Sequence, residues 1–588
     1  MNVSQIPNDV CRFIALDLFI MTISSTATEK PSAVSSGAAP IMVKGQPIYW
    51  TNPASLLRDK AKLYGDKVFT EIDGRKLTYR EIDSLSDRVG ANLAASGIVP
   101  GQRVGSLMFN CAEQLLGWMG TNRIGAVWAP FNASLTGDDL IYTLRDSGAG
   151  ILIVDTENAP KIATLPADVR SAFRVFVAAP YGIEDAQKTV SAICKAHGFE
   201  PFDCLLGTDA ELPLVTIDPG MPGMILYSGG TTGMPKGIVL PQFANVVVGL
   251  RYGEAVAAKA GDHHYTTLPM FHGSGIQLGV VGPLLNDMTS TIDRRFSASG
   301  YWKRVRETGA TVIDPIGTMM TALVHQPVSE DDRRHSVRIS TGVNGQIPAT
   351  VPVEFTKRFG IKIVDIYGNT ECGCAIASCN LAQVPGSVGN PNGWSEIAIM
   401  DEQDNQLASG QVGKIVLRPT IPFSFMLGYH NNPVKTAETW RNLWVHTGDL
   451  GYLDAAGNLF FVGREAHWIR RRGENISAHE IESILSLHPG VRECIVIGVP
   501  SPLGEEDVKA WIIPYEPRPS EEELARWCIA KMAPFKVPKY FEFTDAFPRS
   551  AAKQEVERPK LKLRGNENAW DREKHLGRLS GQGAAVAA

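Results

Sequence analysis

Between Tyr227 and Ile238 an apolar run breaks into Ser228-Gly229-Gly230-Thr231-Thr232-Gly233-Met234-Pro235-Lys236-Gly237 and then resumes. These residue types can hold a phosphate. Glycines such as Gly233 let the backbone approach an anion and turn N–H groups towards it, while Ser228, Thr231 and Thr232 offer hydroxyls and Lys236 brings a mobile positive charge. The Walker pattern is absent, since it needs a Gly-Lys-Ser/Thr end followed directly by a helix. Taken alone, such a loop reads equally well as a flexible turn. Further on, Leu268-Pro269-Met270-Phe271-His272-Gly273-Ser274-Gly275 places His272 on a turn whose entry is fixed by proline and whose exit is freed by glycine. A single histidine in that setting is more often structural than catalytic. In Asp365-Ile366-Tyr367-Gly368-Asn369-Thr370-Glu371, Glu371 is a hard oxygen ligand suited to magnesium shared with phosphate oxygens, or else a solvated residue on a surface turn.

Read together, these pieces resemble the adenylate-forming superfamily, which includes acyl- and aryl-CoA ligases, luciferases and peptide-synthetase adenylation domains. The first loop is similar to its Tyr-Thr-Ser-Gly-Thr-Thr-Gly-x-Pro-Lys-Gly signature, with Ser228 for Thr and Gly229 for Ser. The resemblance implies that His272 orients the carboxylate or gates the acyl pocket, that Tyr367 stacks near adenine, that Thr370 bonds the α-phosphate and that Glu371 holds magnesium. Gly342-Val343-Asn344-Gly345-Gln346 occupies the place of the loop that meets adenine, which points to Asn344 and Gly345. In His446-Thr447-Gly448-Asp449 the implied task of Asp449 is to accept from both ribose hydroxyls, which needs an ionised acceptor with two oxygens. Asp454, at the head of a turn, reads as structural.

Phe461-Val462-Gly463-Arg464 resembles the family's hinge entry, with Arg464 on ribose, and Ala466 stands where the pivot is usually Asp or Lys. Arg470-Arg471-Arg472-Gly473 is either a solvated face or, through the resemblance, a loop that swings over the site with Gly473 and meets CoA phosphate. The family's adenylation lysine falls in Pro548-Arg549-Ser550-Ala551-Ala552-Lys553-Gln554-Glu555, where the count lands on Gln554 or Glu555. Lys553 is the nearest amine, one residue of slippage away. The resemblance runs from about Trp50 to Leu563, and within the superfamily it is strongest to the carnitine/crotonobetaine-CoA ligase-like branch.

The elements that must position these residues are also legible. Thr78 and Glu81 form a capping box ahead of Ile82, Leu85, Val89 and Leu93 on one helix face, closed by Gly97. Runs at 104–108 and 151–154 read as buried strands separated by helical sequence, so the fold class is α/β with layered, partly parallel sheets. The expected division is an unstructured extension over 1–49, a large adenylation domain over 50–463, a small α+β C-terminal domain over 464–565 that rotates on the hinge, and a flexible tail over 566–588.

With 57 basic against 62 acidic residues in a chain of 588, and no long basic run, nothing points to nucleic acid. The apolar stretch Phe13–Ile23 is too short to span a bilayer and is interrupted by Asp17. Nine scattered cysteines, with Cys372, Cys374 and Cys379 lacking paired zinc spacing, fit reduced thiols in a cytoplasmic protein. The expected reaction is ATP-dependent activation of a small carboxylic acid to an acyl-adenylate, with magnesium, followed by transfer to CoA, in the setting of fatty-acid and lipid metabolism. Two readings stay beside it: a stand-alone adenylating enzyme that loads a carrier protein or an amine, and a nucleotide-binding protein that has lost turnover. Residues 272–278 and 343–347 are small and apolar and favour an uncharged acyl tail, with Trp394 or Tyr367 as the cation–π alternative for a quaternary ammonium. A homodimer is left open.

Overall fold

The computed structural model describes residues 40–179, 181–228, 234–342, 350–373, 378–379, 384–471, 474–501, 505–549 and 556–577. Two large sheets form its frame. One has eight strands in the order 428–429, 236–241, 222–228, 127–131, 103–107, 151–155, 174–178, 200–201. The other has seven, in the order 362–364, 339–341, 312–313, 263–266, 289–292, 68–72, 75–78. Both are mainly parallel; in the first, the strand 236–241 runs antiparallel to both its neighbours, 222–228 and 428–429.

A shared core lies between the sheets, joining Val104, Ile153 and Met224 of the first to Phe69 and Ile292 of the second through the helices 79–95, 112–123 and 244–255. The helix 112–123 is buried along nearly its whole length, and so its sequence carries no amphipathic stripe. The helix 79–95 does carry one. Thr78 Oγ1 accepts from the Glu81 N–H at 3.1 Å and Glu81 accepts from the Thr78 N–H at 2.8 Å, while Ile82, Val89 and Leu93 turn inward. The strands expected at 104–108 and 151–154 are present as 103–107 and 151–155.

Organised backbone begins earlier than Trp50. Ile41–Val43 and Gln46–Ile48 form a hairpin around Lys44 and Gly45, both at positive φ, with Val43 and Ile48 buried and Lys44 paired to Glu254 at 3.1 Å. Residues 1–39 lie outside the described residues.

A five-stranded sheet of 395–400, 413–419, 440–441, 444–453 and 459–464 follows, and then a smaller unit with its own core around Ile481, Val496, Ile512 and Phe541. That unit is α+β: the hairpin 468–471/474–477, the helices 478–485 and 521–531, and a sheet of 491–500, 506–514, 540–543 and 570–571. Its chain runs past the expected limit of 565. Trp570–Asp571 pairs with Tyr540–Phe541, and Arg572, 1 % exposed, donates to the carbonyls of Pro538 and Gly577. The smaller unit touches the larger at the Tyr515 hydroxyl, 2.7 Å from His325 Nε2, and at the Ser477 hydroxyl, which donates to the Val462 carbonyl at 3.1 Å. Among the described residues no helix is long and apolar enough to cross a membrane.

Candidate active site

Parallel strands deliver ligand-binding loops at their carboxyl ends. The strands 339–341 and 362–364 end at Gly342 and at Asp365, directly before the Tyr367–Glu371 segment. That segment is shaped by short side chains. Asn369 Oδ1 accepts from the Cys372 N–H at 2.9 Å, and Gly373 sits at φ +77° where a Cβ would lie 2.8 Å from the Ser424 carbonyl. Thr370 is buried at the centre of this turn.

Ser228 and Lys236 face each other across the antiparallel pair 222–228/236–241, so the expected phosphate loop joins the ends of a hairpin. Next to Lys236 the strand 428–429 adds an edge, with Ile238 opposite Tyr429. The Tyr429 hydroxyl donates to Glu371 Oε1 at 2.8 Å, and the Met426 N–H donates to the Glu371 carbonyl at 2.7 Å. One edge strand therefore ties Lys236 to Glu371.

Asp449 lies on the strand 444–453, opposite Arg464 on 459–464, with Arg464 Nε 3.7 Å from its Oδ1. The Tyr367 hydroxyl donates to its Oδ2 at 2.8 Å. Burial pushes the Asp449 carboxyl up to about 6, Arg464 and the Tyr367 hydrogen bond pull against this, and the charge of Glu371 adds to it. The two carboxylates thus feel each other across one space.

His272 follows the strand 263–266 on a turn clamped from the other sheet. The Asn110 amide donates to the Leu268 and Asp293 carbonyls at 2.9 and 3.0 Å, and its carbonyl accepts from the Met270 N–H at 2.7 Å. The Ser274 N–H donates to His272 Nδ1 at 3.2 Å, so the neutral ring carries its proton on Nε2. A π-helix runs on from Ser274 to Val281; such wide turns recur at functional sites. Gly275 is required there, because a Cβ would lie 2.2 Å from the Pro269 carbonyl.

Ser228, Lys236, Tyr367, Thr370, Glu371, Asp449 and Arg464 are thus placed on neighbouring strands and turns, with His272 on the π-helix entry. Thr231, Thr232, Gly233, Asn344, Gly345, Gly473 and Lys553 lie outside the described residues. At the base of the Lys553 segment, Arg549 and Val556 form a β-bridge and the Glu557 N–H donates to the Pro548 carbonyl at 2.8 Å.

The residues 57–430 match the model of the AMP-binding enzyme family. This chain belongs to that family. The C-terminal domain of AMP-binding enzymes matches separately at 480–553. The crotonobetaine/carnitine–CoA ligase of Citrobacter koseri is 30% identical over 510 residues, covering 84% of this chain and 96% of that protein. Its counterpart in Salmonella typhimurium is 28% identical over 519 residues, with the same coverage. Among solved structures, the anthranilate CoA ligase AuaEII with anthranoyl-AMP superposes with a TM-score of 0.77 at 25% identity, covering 88% of this chain and 98% of that one. ATP-bound MatB from Rhodopseudomonas palustris does so with a TM-score of 0.76 at 25% identity, covering 88% and 99%. The resemblance to adenylate-forming enzymes, and to their carnitine/crotonobetaine branch, therefore holds across the chain.

Two expectations for this AMP-binding enzyme are corrected. Arg471 belongs to neither a solvated face nor a mobile contact: it is 3 % exposed, donates to the Phe535 and Val537 carbonyls and lies 3.3 Å from Asp507. Trp394 is not a free cation–π face. It is buried with Lys44 Nζ 4.9 Å and Arg251 5.6 Å from its ring, and its indole N–H donates to Glu254 at 2.8 Å. Two site residues were missed. Asn110 stands in an apolar context with no partner in reach along the sequence, and Tyr429 precedes His430-Asn431-Asn432-Pro433, a helix-start pattern that only hints at a turn. The Asn432 side chain does cap that helix.

Proposed function

We propose that this AMP-binding enzyme joins ATP to a carboxylic acid with release of pyrophosphate, then passes the acyl group to the thiol of CoA with release of AMP. The observation that carries the reading is the convergence of three ligand sets. Lys236 on the phosphate hairpin, Glu371 on the next turn and Asp449 beside Arg464 are linked by the Tyr429–Glu371 and Tyr367–Asp449 bonds. Phosphates, a cation and a ribose need those three sets.

A carboxylate is a poor electrophile, because its charge repels nucleophiles and its leaving group is oxide-like. In the first step a carboxylate oxygen attacks the α-phosphorus, and the bond from that phosphorus to the pyrophosphate oxygen breaks. In the second a thiolate attacks the acyl carbon and AMP departs with the carboxyl oxygen. Lys236, with the Thr231 and Thr232 hydroxyls, faces the transferring phosphates, Thr370 donates to the α-phosphate, and the Lys553 amine offsets charge in the first step. Asp449 and Arg464 hold the ribose, Asn344, Gly345 and Tyr367 border adenine, and His272 orients the acid carboxylate.

Glu371 fits a magnesium ion: it is a hard donor, and Tyr429 engages one of its oxygens. Among the described residues no three ligating side chains gather, and an ion held by Glu371 would be shared with phosphate oxygens and water. Bound there, it would neutralise charge on the phosphate oxygens.

The smaller unit turns on the segment around Arg464 between the two steps, with a domain limit near 463. An uncharged acyl tail is the reading supported by Trp394, one of the two cation–π candidates, being already covered by Lys44 and Arg251. A cytoplasmic location is the reading supported by the free, buried thiols Cys111, Cys194, Cys372, Cys494 and Cys528, which suit a reducing compartment. Acid-dependent exchange of labelled pyrophosphate into ATP without CoA tests the first step. Exchange that is followed by acyl transfer to a carrier protein but never to CoA contradicts the second.

A further inference from the structure

We infer that Tyr429 is a positioning residue that aims the Glu371 carboxylate at the magnesium of the bound nucleotide. The inference rests on Glu371 being the metal ligand, as proposed above. A glutamate side chain has three rotatable bonds and, unrestrained, samples many directions; a fixed donor on one oxygen removes most of that freedom. The Tyr429 hydroxyl supplies that donor, 2.8 Å from Oε1. Among the described residues Oε2 has no bonding partner and stays available to the cation.

Tyr429 is itself held from three sides. Its N–H donates to Thr436 Oγ1 at 2.8 Å, and the flanking residues are stitched to the Lys236 strand: the Leu427 N–H donates to the Val239 carbonyl at 2.8 Å and the His430 N–H to the Gly237 carbonyl at 2.7 Å. Glu371 is held twice by the same segment, at its carbonyl by the Met426 N–H and at its side chain by Tyr429. The phosphate-facing lysine and the cation-facing carboxylate therefore share one backbone frame. A partner that orients a metal ligand in this way typically governs about 10- to 100-fold in metal affinity.

The test measures Mn2+ binding to the protein loaded with a non-hydrolysable ATP analogue, by electron paramagnetic resonance, in the wild type, Tyr429→Phe, Glu371→Gln and the double variant. Tyr429→Phe keeps the ring and deletes one oxygen. It should weaken Mn2+ binding about 10- to 100-fold while leaving the affinity for the analogue in EDTA, and the thermal midpoint, close to wild type. In the Glu371→Gln background the same change should have little further effect, because Tyr429 acts through Glu371. Wild-type Mn2+ affinity in Tyr429→Phe alone overturns the inference and spares the metal reading of Glu371. Wild-type affinity in both single variants overturns the two together. An equal loss of metal-free nucleotide binding, or full additivity in the double variant, makes Tyr429 a structural residue and also overturns it.

Discussion

Asp449 meets two opposed demands. The ribose-binding role proposed for it needs an ionised carboxylate, yet burial holds the group at about 6 against an ordinary 3.8. Because the folded value lies above the unfolded one, ionising Asp449 costs stability, and that cost grows as pH rises from about 4 to 6 and is complete above. Ribose recognition runs the other way. Affinity for ATP, measured by calorimetry, should weaken as pH falls below about 6, and Asp449→Asn should bind weakly with that pH dependence removed. An unchanged inflection in Asp449→Asn would assign the titration elsewhere, Asp365 being the first alternative, since burial lifts its carboxyl to about 7. At this scale Glu371 and Asp449 were legible because their neighbours form dense motifs. Tyr429 and Asn110 were not, because each acts on a residue distant in sequence, and three consecutive arginines give no sign that Arg471 turns inward.

The turn that carries His272 is an element-scale device. Asn110, which follows the strand 103–107 of the first sheet, closes three hydrogen bonds on the second sheet's loops, all of them buried or half-buried. Asn110→Ala strands two carbonyls and one N–H, at about 1–3 kcal/mol each for a group fully cut off from partners. Urea unfolding should show a loss of at least about 1 kcal/mol, together with a higher KM for the acid than for ATP. Gly275→Ala is the companion test. The added Cβ meets a backbone oxygen at 2.2 Å, so the π-helix entry must shift, and acid activation should fall further than thermal stability alone accounts for.

Periodicity revealed the helix 79–95, which has a wet face. It could not reveal 112–123, which is buried on nearly all sides, nor the short pairings 41–48 and 570–571, whose strands are only two or three residues long.

At the scale of the whole molecule, the smaller unit presents one end to the larger. Its strands 491–500 and 506–514 pair so that Val491 meets Pro514 at one end and Pro500 meets Glu506 at the other, about 30 Å away at the usual strand rise. Tyr515 and the Glu493–Arg549 pair belong to the first end, and Tyr515 touches His325. The Arg470 N–H bonds Glu506 at the second. The end that leads into the Lys553 segment thus touches the larger domain, and in the rotation proposed above this contact belongs to the first step. His325 Nδ1 donates to the Thr321 carbonyl, which leaves Nε2 to accept from the Tyr515 hydroxyl. Tyr515→Phe removes a surface hydrogen bond of about 1 kcal/mol. Single-turnover pyrophosphate release should slow by about two- to fivefold, while attack of CoA on preformed acyl-adenylate keeps its rate; equal slowing of both contradicts the orientation assigned to this contact.

The central claim is the two-step ligation, and one incubation addresses it. The protein is given ATP, magnesium, CoA and a mixed pool of fatty, aromatic, steroid-side-chain and betaine acids, and AMP and acyl-CoA are read by mass spectrometry. The account predicts AMP together with the acyl-CoA of an acid whose tail is uncharged, both lost in Asp449→Asn. ATP binding without AMP or acyl-CoA from any acid would contradict it.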